Sequence, residues 1–119
     1  TFFRKTPRVF RASAKPVLAL CVSFMMPPSF AAGVPPTSTV EITEFAFAPR
    51  EITIAPGTKI VWTNRDGTPH TVTSNDKSFA SKGLDTDDKF EHTFASEGDF
   101  SYICTVHPFM TGVVHVRKQ

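Results

Sequence analysis

Residues 39–64 read TVEITEFAFAPREITIAPGTKIVWTN. Three runs within this stretch, 39–43, 51–55 and 58–64, alternate apolar and polar side chains and draw on Val, Ile, Thr and Trp, the residues that suit a half-buried pleated surface. Pro56-Gly57 supplies turn chemistry between the last two. Working outward, HTVTS (70–74), KFEHTF (89–94), DFSYIC (99–104) and GVVHVR (112–117) repeat the pattern, with Asp66-Gly67 and Glu97-Gly98-Asp99 as breaks. No window shows a helical period. Seven to eight short strands in this length predict an all-β sandwich. Phe45 and Phe47 fall out of phase with Val40 and Ile42, which predicts a bulge or a crossing between sheets at that point. Residues 75–88, NDKSFASKGLDTDD, read as a polar surface loop holding at most one short strand or turn.

A hydrophobic share of 40% and a charged share of 20% are those of an ordinary globular chain and exclude a disordered or fibrous one. The charges are segregated. Arg4, Lys5, Arg8, Arg11 and Lys15 precede every acid, whereas all 11 acidic residues follow Val40 against eight of the 13 bases, which leaves that part at −3. No basic patch interleaved with aromatics argues for nucleic acid.

The basic start leads into an apolar run, PVLALCVSFMM (16–26), then Pro27-Pro28 and Ser29-Phe30-Ala31, with small residues at the two positions a signal peptidase reads. Residues 1–31 are therefore expected to be a secretory signal cut after Ala31, residues 32–38 a linker, and residues 39–119 the exported domain. A membrane anchor is the alternative, but the apolar run is about half of the roughly 20 residues a spanning helix needs, so no stable membrane insertion is expected after cleavage. Cys21 lies inside this run; Leu20 is too large for the position before a lipidated cysteine, so Cys21 reads as apolar filler. The exported part then holds one cysteine, Cys104, which has no internal disulfide partner.

Cys104 belongs to YICTVHPFM (102–110), where Cys104, His107 and Met110 recur at intervals of three. Extended chain would separate Cys104 from His107 by about 10 Å, so Thr105 and Val106 must curl it back before the two share one metal. Thiolate, imidazole and thioether form a soft donor set that selects copper, and a Cys-His-His plane with a weak axial Met describes a blue-copper electron-transfer site. Structural zinc, the competitor, usually takes four Cys or His ligands. The second histidine comes from His70, His92 or His115. The last two lie mid-strand, where a lone histidine is more often packed or solvated, whereas His70 follows Pro69 at the end of the turn RDGTP, where loops at one end of a sandwich converge.

The run Cys104-Thr105-Val106-His107-Pro108-Phe109-Met110 resembles the ligand loop of the amicyanins and closely related plastocyanin-like cupredoxins, and VWTNRDGTPHTV (61–72) resembles the segment that brings in their first histidine. The resemblance covers essentially all of the expected exported domain. It implies a Greek-key β-sandwich with one type 1 copper held by His70, Cys104, His107 and Met110. Two residues depart from the family pattern. Thr71 stands where an Asn usually ties the first histidine to the ligand loop; being shorter, it puts the link to Thr105 in question. Val106 replaces the usual Pro, which is expected to loosen the loop.

The function implied is a monomeric, periplasmic electron carrier cycling Cu(II) and Cu(I), with partners such as a c-type cytochrome or an amine dehydrogenase, rather than an enzyme. His107, flanked by Pro108 and Phe109, is the expected partly exposed route for electrons, with Pro69, Phe109 and Pro49 as its apolar rim; the family also implies that His107 exchanges Cu(I) for a proton in mild acid. Asp85, Asp87 and Asp88 read first as a solvated surface and second as a lure for a basic partner. A copper oxidase or nitrite reductase would need further histidines, commonly as His-x-His pairs, which are absent here. Periplasmic copper delivery is the alternative function, although such sites favour exposed Met or His clusters. A metal-free immunoglobulin-like module leaves the lone thiol unexplained.

Overall fold

A computed structural model describes Pro7, residues 9–28 and residues 33–119. The chain separates into two units, Thr1–Ala31 and Ala32–Gln119. In the first, residues 9–28 form neither helix nor strand, and among the described residues no helix is long and apolar enough to cross a membrane. Arg4, Lys5, Arg8 and the expected cleavage point after Ala31 lie outside the described residues.

The second unit is a two-layer Greek-key sandwich of eight strands, built as the alternation demands. They are β1 (Thr37–Thr43), β2 (Ala46–Ala48), β3 (Glu51–Ile54), β4 (Thr58–Asn64), β5 (Thr73–Ser74), β6 (Lys89–Phe94), β7 (Gly98–Ile103) and β8 (Thr111–Val116). One sheet runs β2-β1-β4-β6 and the other β3-β8-β7-β5. The pairs β1–β4 and β3–β8 are parallel, and the remaining neighbours antiparallel. Because most connections change sheets, only two join neighbours within a sheet: the β1–β2 turn and the β7–β8 loop. Both are at the candidate site described below.

The core forms where the two inner faces meet. Val40 and Ile42 from β1, Ile60 and Trp62 from β4, Tyr102 from β7, and Val114 and Val116 from β8 are all buried, each at the alternate position its strand period requires. Trp62 sits at the centre, packed against Phe79, Phe90, Phe94 and Tyr102 with ring centroids 5.6 to 6.3 Å apart. Such aromatic pairs add to the hydrophobic gain through their edge and face electrostatics. Gly112 faces Tyr102 directly across the β7–β8 ladder, and any side chain there would occupy the phenol ring's space.

Four expectations shift. β1 starts at Thr37, because Thr37 and Ser38 already pair with Lys59 and Ile60, so two residues assigned to the linker belong to the sheet. The phase change at Phe45 is neither a bulge nor a crossing. Glu44 and Phe45 form a two-residue hairpin turn between Thr43 and Ala46, which returns Phe47 to the core opposite Ile42. The chain crosses to the other sheet only afterwards, through Pro49 and Arg50. The run 70–74 keeps strand geometry only at Thr73–Ser74, since His70 and Val72 bond instead to Leu84 and Ser81. The loop 75–88 thus gives more than surface: Phe79 and Leu84 are core residues.

Candidate metal centre

β4 ends at Asn64, whose buried side chain organises the turn that follows. Its Nδ2 donates to the carbonyls of Thr68 (2.9 Å) and Leu84 (2.8 Å), and its Oδ1 accepts the Asp66 N–H at 2.9 Å. The turn therefore delivers His70 at a fixed place, where it exchanges two backbone hydrogen bonds with Leu84, at 3.1 and 2.7 Å. From the other sheet, β7 ends at Ile103 and sets Cys104 at its tip, fully buried. The following loop doubles back as the sequence required. The Met110 N–H donates to the His107 carbonyl at 2.9 Å, and the Cys104 N–H donates to the Met110 carbonyl at 3.1 Å. Pro108 contributes no donor and holds His107 extended, which leaves these two bonds to close the loop.

These elements bring His70, Cys104 and His107 together. Cys104 Sγ lies 3.8 Å from His70 Nδ1 and 3.9 Å from His107 Nδ1, and the two Nδ1 atoms are 3.2 Å apart. Met110 is buried in the same loop, completing a His–Cys–His–Met arrangement. His92 and His115 are elsewhere. His92 stacks on Phe79 at 4.8 Å, its pKa lowered by burial, and His115 Nδ1 is 2.7 Å from Asp99. Among the described residues the three donors form the one cluster able to hold a metal ion.

Three inward-facing donors at such separations repel one another unless a cation or proton lies between them. A cation bound there would be held by His70, Cys104 and His107 together. The triangle suits the trigonal, soft-ligand site typical of copper.

The surroundings hold these donors in place. The Thr71 N–H donates to Cys104 Sγ at 3.3 Å. His70 Nε2 is 2.8 Å from Asp66 Oδ2. Burial by itself pushes the Asp66 carboxyl up, but hydrogen bonds from the Phe45 N–H, from His70 and from the Glu44 N–H more than offset it and hold it below the usual carboxylate range. The carboxylate accepts two backbone N–H groups and meets Nε2 on the side of the ring away from the cluster. Phe45 lies perpendicular to both imidazoles, with centroids 5.2 Å from His70 and 5.1 Å from His107.

Around the half-buried His107 the exposed apolar side chains are Phe45 (43%), Val106 (55%) and Phe109 (71%). A cavity of about 130 Å³ opens beside Met110, between Phe45 and Phe109, with Arg50 at its edge. The sequence reading missed Asp66 and Phe45. Asp66 sits four residues before His70 in a turn, where an aspartate ordinarily signals only the turn, and the phase change at Phe45 was its one visible trace.

Residues 36–117 match the family described as copper binding proteins, plastocyanin/azurin family. The chain belongs to that family. This cupredoxin is 32% identical over 86 residues to amicyanin-alpha of Methylorubrum extorquens, a match covering 68% of this chain and 72% of the relative. It is 33% identical over 96 residues to amicyanin of Paracoccus versutus, covering 76% and 73%. Among solved structures it resembles a purple cupredoxin from Nitrosopumilus maritimus, with a TM-score of 0.64 and 33% identity over 67% of this chain and 99% of that one. Copper is the cofactor of the family, and the donor set of this cupredoxin fits it.

Proposed function

We propose that His70, Cys104, His107 and Met110 hold one type 1 copper and that the protein carries single electrons between redox partners. The observation that carries this reading is the triangle of His70 Nδ1, His107 Nδ1 and Cys104 Sγ, 3.2 to 3.9 Å on a side, at the end of a closed sandwich. When bound, the copper supplies a one-electron couple. The chain's part is to keep the donors still and dry. Cys104 and Met110 lie in a loop closed by two backbone bonds, and Asp66 lies 2.8 Å from His70 Nε2, on the far side of that ring from the cluster. Ligands fixed in this way move little between oxidation states, which lowers the reorganisation that accompanies transfer. His107 is the least covered ligand, and the apolar surface of Phe45, Val106 and Phe109 beside it gives a partner a close, water-excluding approach.

The carrier reading is supported by the likeness to amicyanins and by a single gathered donor set among the described residues, His92 being stacked on Phe79 and His115 hydrogen-bonded to Asp99. Burial of Cys104 and Met110 disfavours the delivery reading, which needs ligands that exchange readily. The leader 1–31 supports export to the periplasm, with the cleaved domain acting as a monomer on partners such as a c-type cytochrome or an amine dehydrogenase. Arg65 pairs with Asp87 at 2.9 Å and with Glu41 at 3.6 Å, so the acidic loop is partly neutralised and charge steering by it is weak.

Adding Cu(II) to the purified protein tests the reading. An intense thiolate-to-copper absorption that disappears in Cys104→Ser supports it, and a colourless protein rejects it. Slow release of the copper to a chelator separates electron transfer from delivery.

A further inference from the structure

The β1–β2 turn is built from residues poorly suited to it. Glu44 and Phe45 have φ of 52° and 57°, both left-handed, as in the tight two-residue turns for which Asn-Gly or Asp-Gly is the favoured sequence. Two consecutive non-glycine residues there, one of them aromatic, are a local strain that persists only where surrounding structure enforces it. Asp66 enforces it. Its Oδ1 accepts the Glu44 N–H at 2.7 Å, and its Oδ2 accepts the Phe45 N–H at 3.0 Å and lies 2.8 Å from His70 Nε2. One mostly covered carboxylate therefore fastens a strained turn and an imidazole at once. The strain has a visible result, because it sets the Phe45 ring perpendicular to both His70 and His107. A glycine in that turn would relieve the backbone and leave both imidazoles uncovered on that side.

We propose that Asp66 is a positioning residue for the metal centre: it locks His70 in the tautomer with Nδ1 free, and it clamps the Glu44–Phe45 turn so that Phe45 covers both imidazoles. The inference rests on His70 being a copper ligand. Asp66 touches no metal donor atom and acts through the other nitrogen of His70, as carboxylates paired with metal-bound histidines do. A purely structural Asp66 would close the turn and contribute stability alone, so the test reads tautomer and affinity against a stability control.

In the metal-free full chain, nitrogen NMR of the His70 ring is expected to show a protonated Nε2 and an unprotonated Nδ1; the opposite tautomer in the wild type overturns the proposal without any variant. Asp66→Leu, which fills similar space with no acceptor, is expected to mix or invert the tautomer and to weaken copper binding roughly ten- to a hundredfold in chelator competition. Val114→Ala, a core change on β8, lowers stability while leaving both readouts in place. Phe45→Ala keeps the tautomer and speeds copper loss to the chelator. An Asp66→Leu protein with wild-type tautomer and affinity matching that of Val114→Ala overturns the first half, and a Phe45→Ala protein that holds copper as long as the wild type overturns the second. If the wild type takes up no copper at all, the ligand reading fails, whereas the tautomer of the metal-free protein still decides the role of Asp66.

Discussion

Thr71 Oγ1 lies 2.8 Å from the Thr105 amide nitrogen, which donates to it, and 2.8 Å from the Thr105 hydroxyl. The link between the first histidine's segment and the ligand loop is therefore made, and by a shorter side chain than the resemblance led one to expect. Register explains it. β5 pairs Thr73 with Ile103, and where the two segments leave that ladder Thr71 and Thr105 stay within hydrogen-bond reach. With its own N–H on Cys104 Sγ, Thr71 braces the cysteine from both sides.

Thr71→Val keeps the volume and removes the acceptor, leaving the Thr105 N–H without its partner. The expected loss is about 1–3 kcal/mol in denaturant unfolding. A shift in the copper absorption or reduction potential is expected to accompany it, and Thr71→Ser, which keeps the hydroxyl, is expected to restore both.

Gly112→Ala is expected to be among the most damaging small changes in the core. The added methyl meets the Tyr102 ring, itself wedged against Phe47 at 4.7 Å and Trp62 at 5.6 Å, so the ring has nowhere to go. Overpacking of this kind costs about 1–3 kcal/mol. Pairing it with Tyr102→Leu gives a cycle in which the double variant loses less than the sum of the singles, because the second change removes the obstacle. Additive losses would mean the two positions do not collide.

Tyr102 is the single tyrosine of the chain, so phenolate absorbance reports on it alone. Burial pushes its hydroxyl up to about 12 from an ordinary value of 10. An acid whose folded pKa is raised contributes stability fully present below the unfolded value and lost as pH rises to the folded one. The fold is thus expected to weaken between pH 10 and about 12, by an amount on the order of 2 kcal/mol. Spectrophotometric titration of folded and urea-unfolded protein checks the gap, and Tyr102→Phe is expected to flatten this part of the pH–stability curve.

Replacing Glu44-Phe45 by Asn-Gly is expected to raise unfolding stability by about 1–2 kcal/mol, since the left-handed conformation costs an ordinary residue about that much. Thermal or denaturant unfolding of the metal-free protein reads the change. A loss of stability would show that Phe45 contributes more through packing than its turn gives up.

The sequence by itself determined what local periodicity and donor chemistry can carry. Alternation along residues 39–64 and 99–117 specified strands with one buried face, because a strand's period of two leaves one choice of inner side chains. Cys104, His107 and Met110 are near neighbours in the chain, so one tight loop sufficed to suggest their convergence, and the turn before His70 marked the remaining ligand. Tertiary structure decided what depends on distance across the sheets. It made Thr71 long enough by bringing Thr105 within 2.8 Å of its hydroxyl, and it drew 80–84 from an expected surface loop into pairing with 70–73. It also joined Glu44 and Phe45 to Asp66, 22 and 21 residues away, through hydrogen bonds that leave no mark in either segment's pattern. Hydrophobic period specifies which way a side chain points, whereas the partner it meets there is chosen only when the two sheets close on each other.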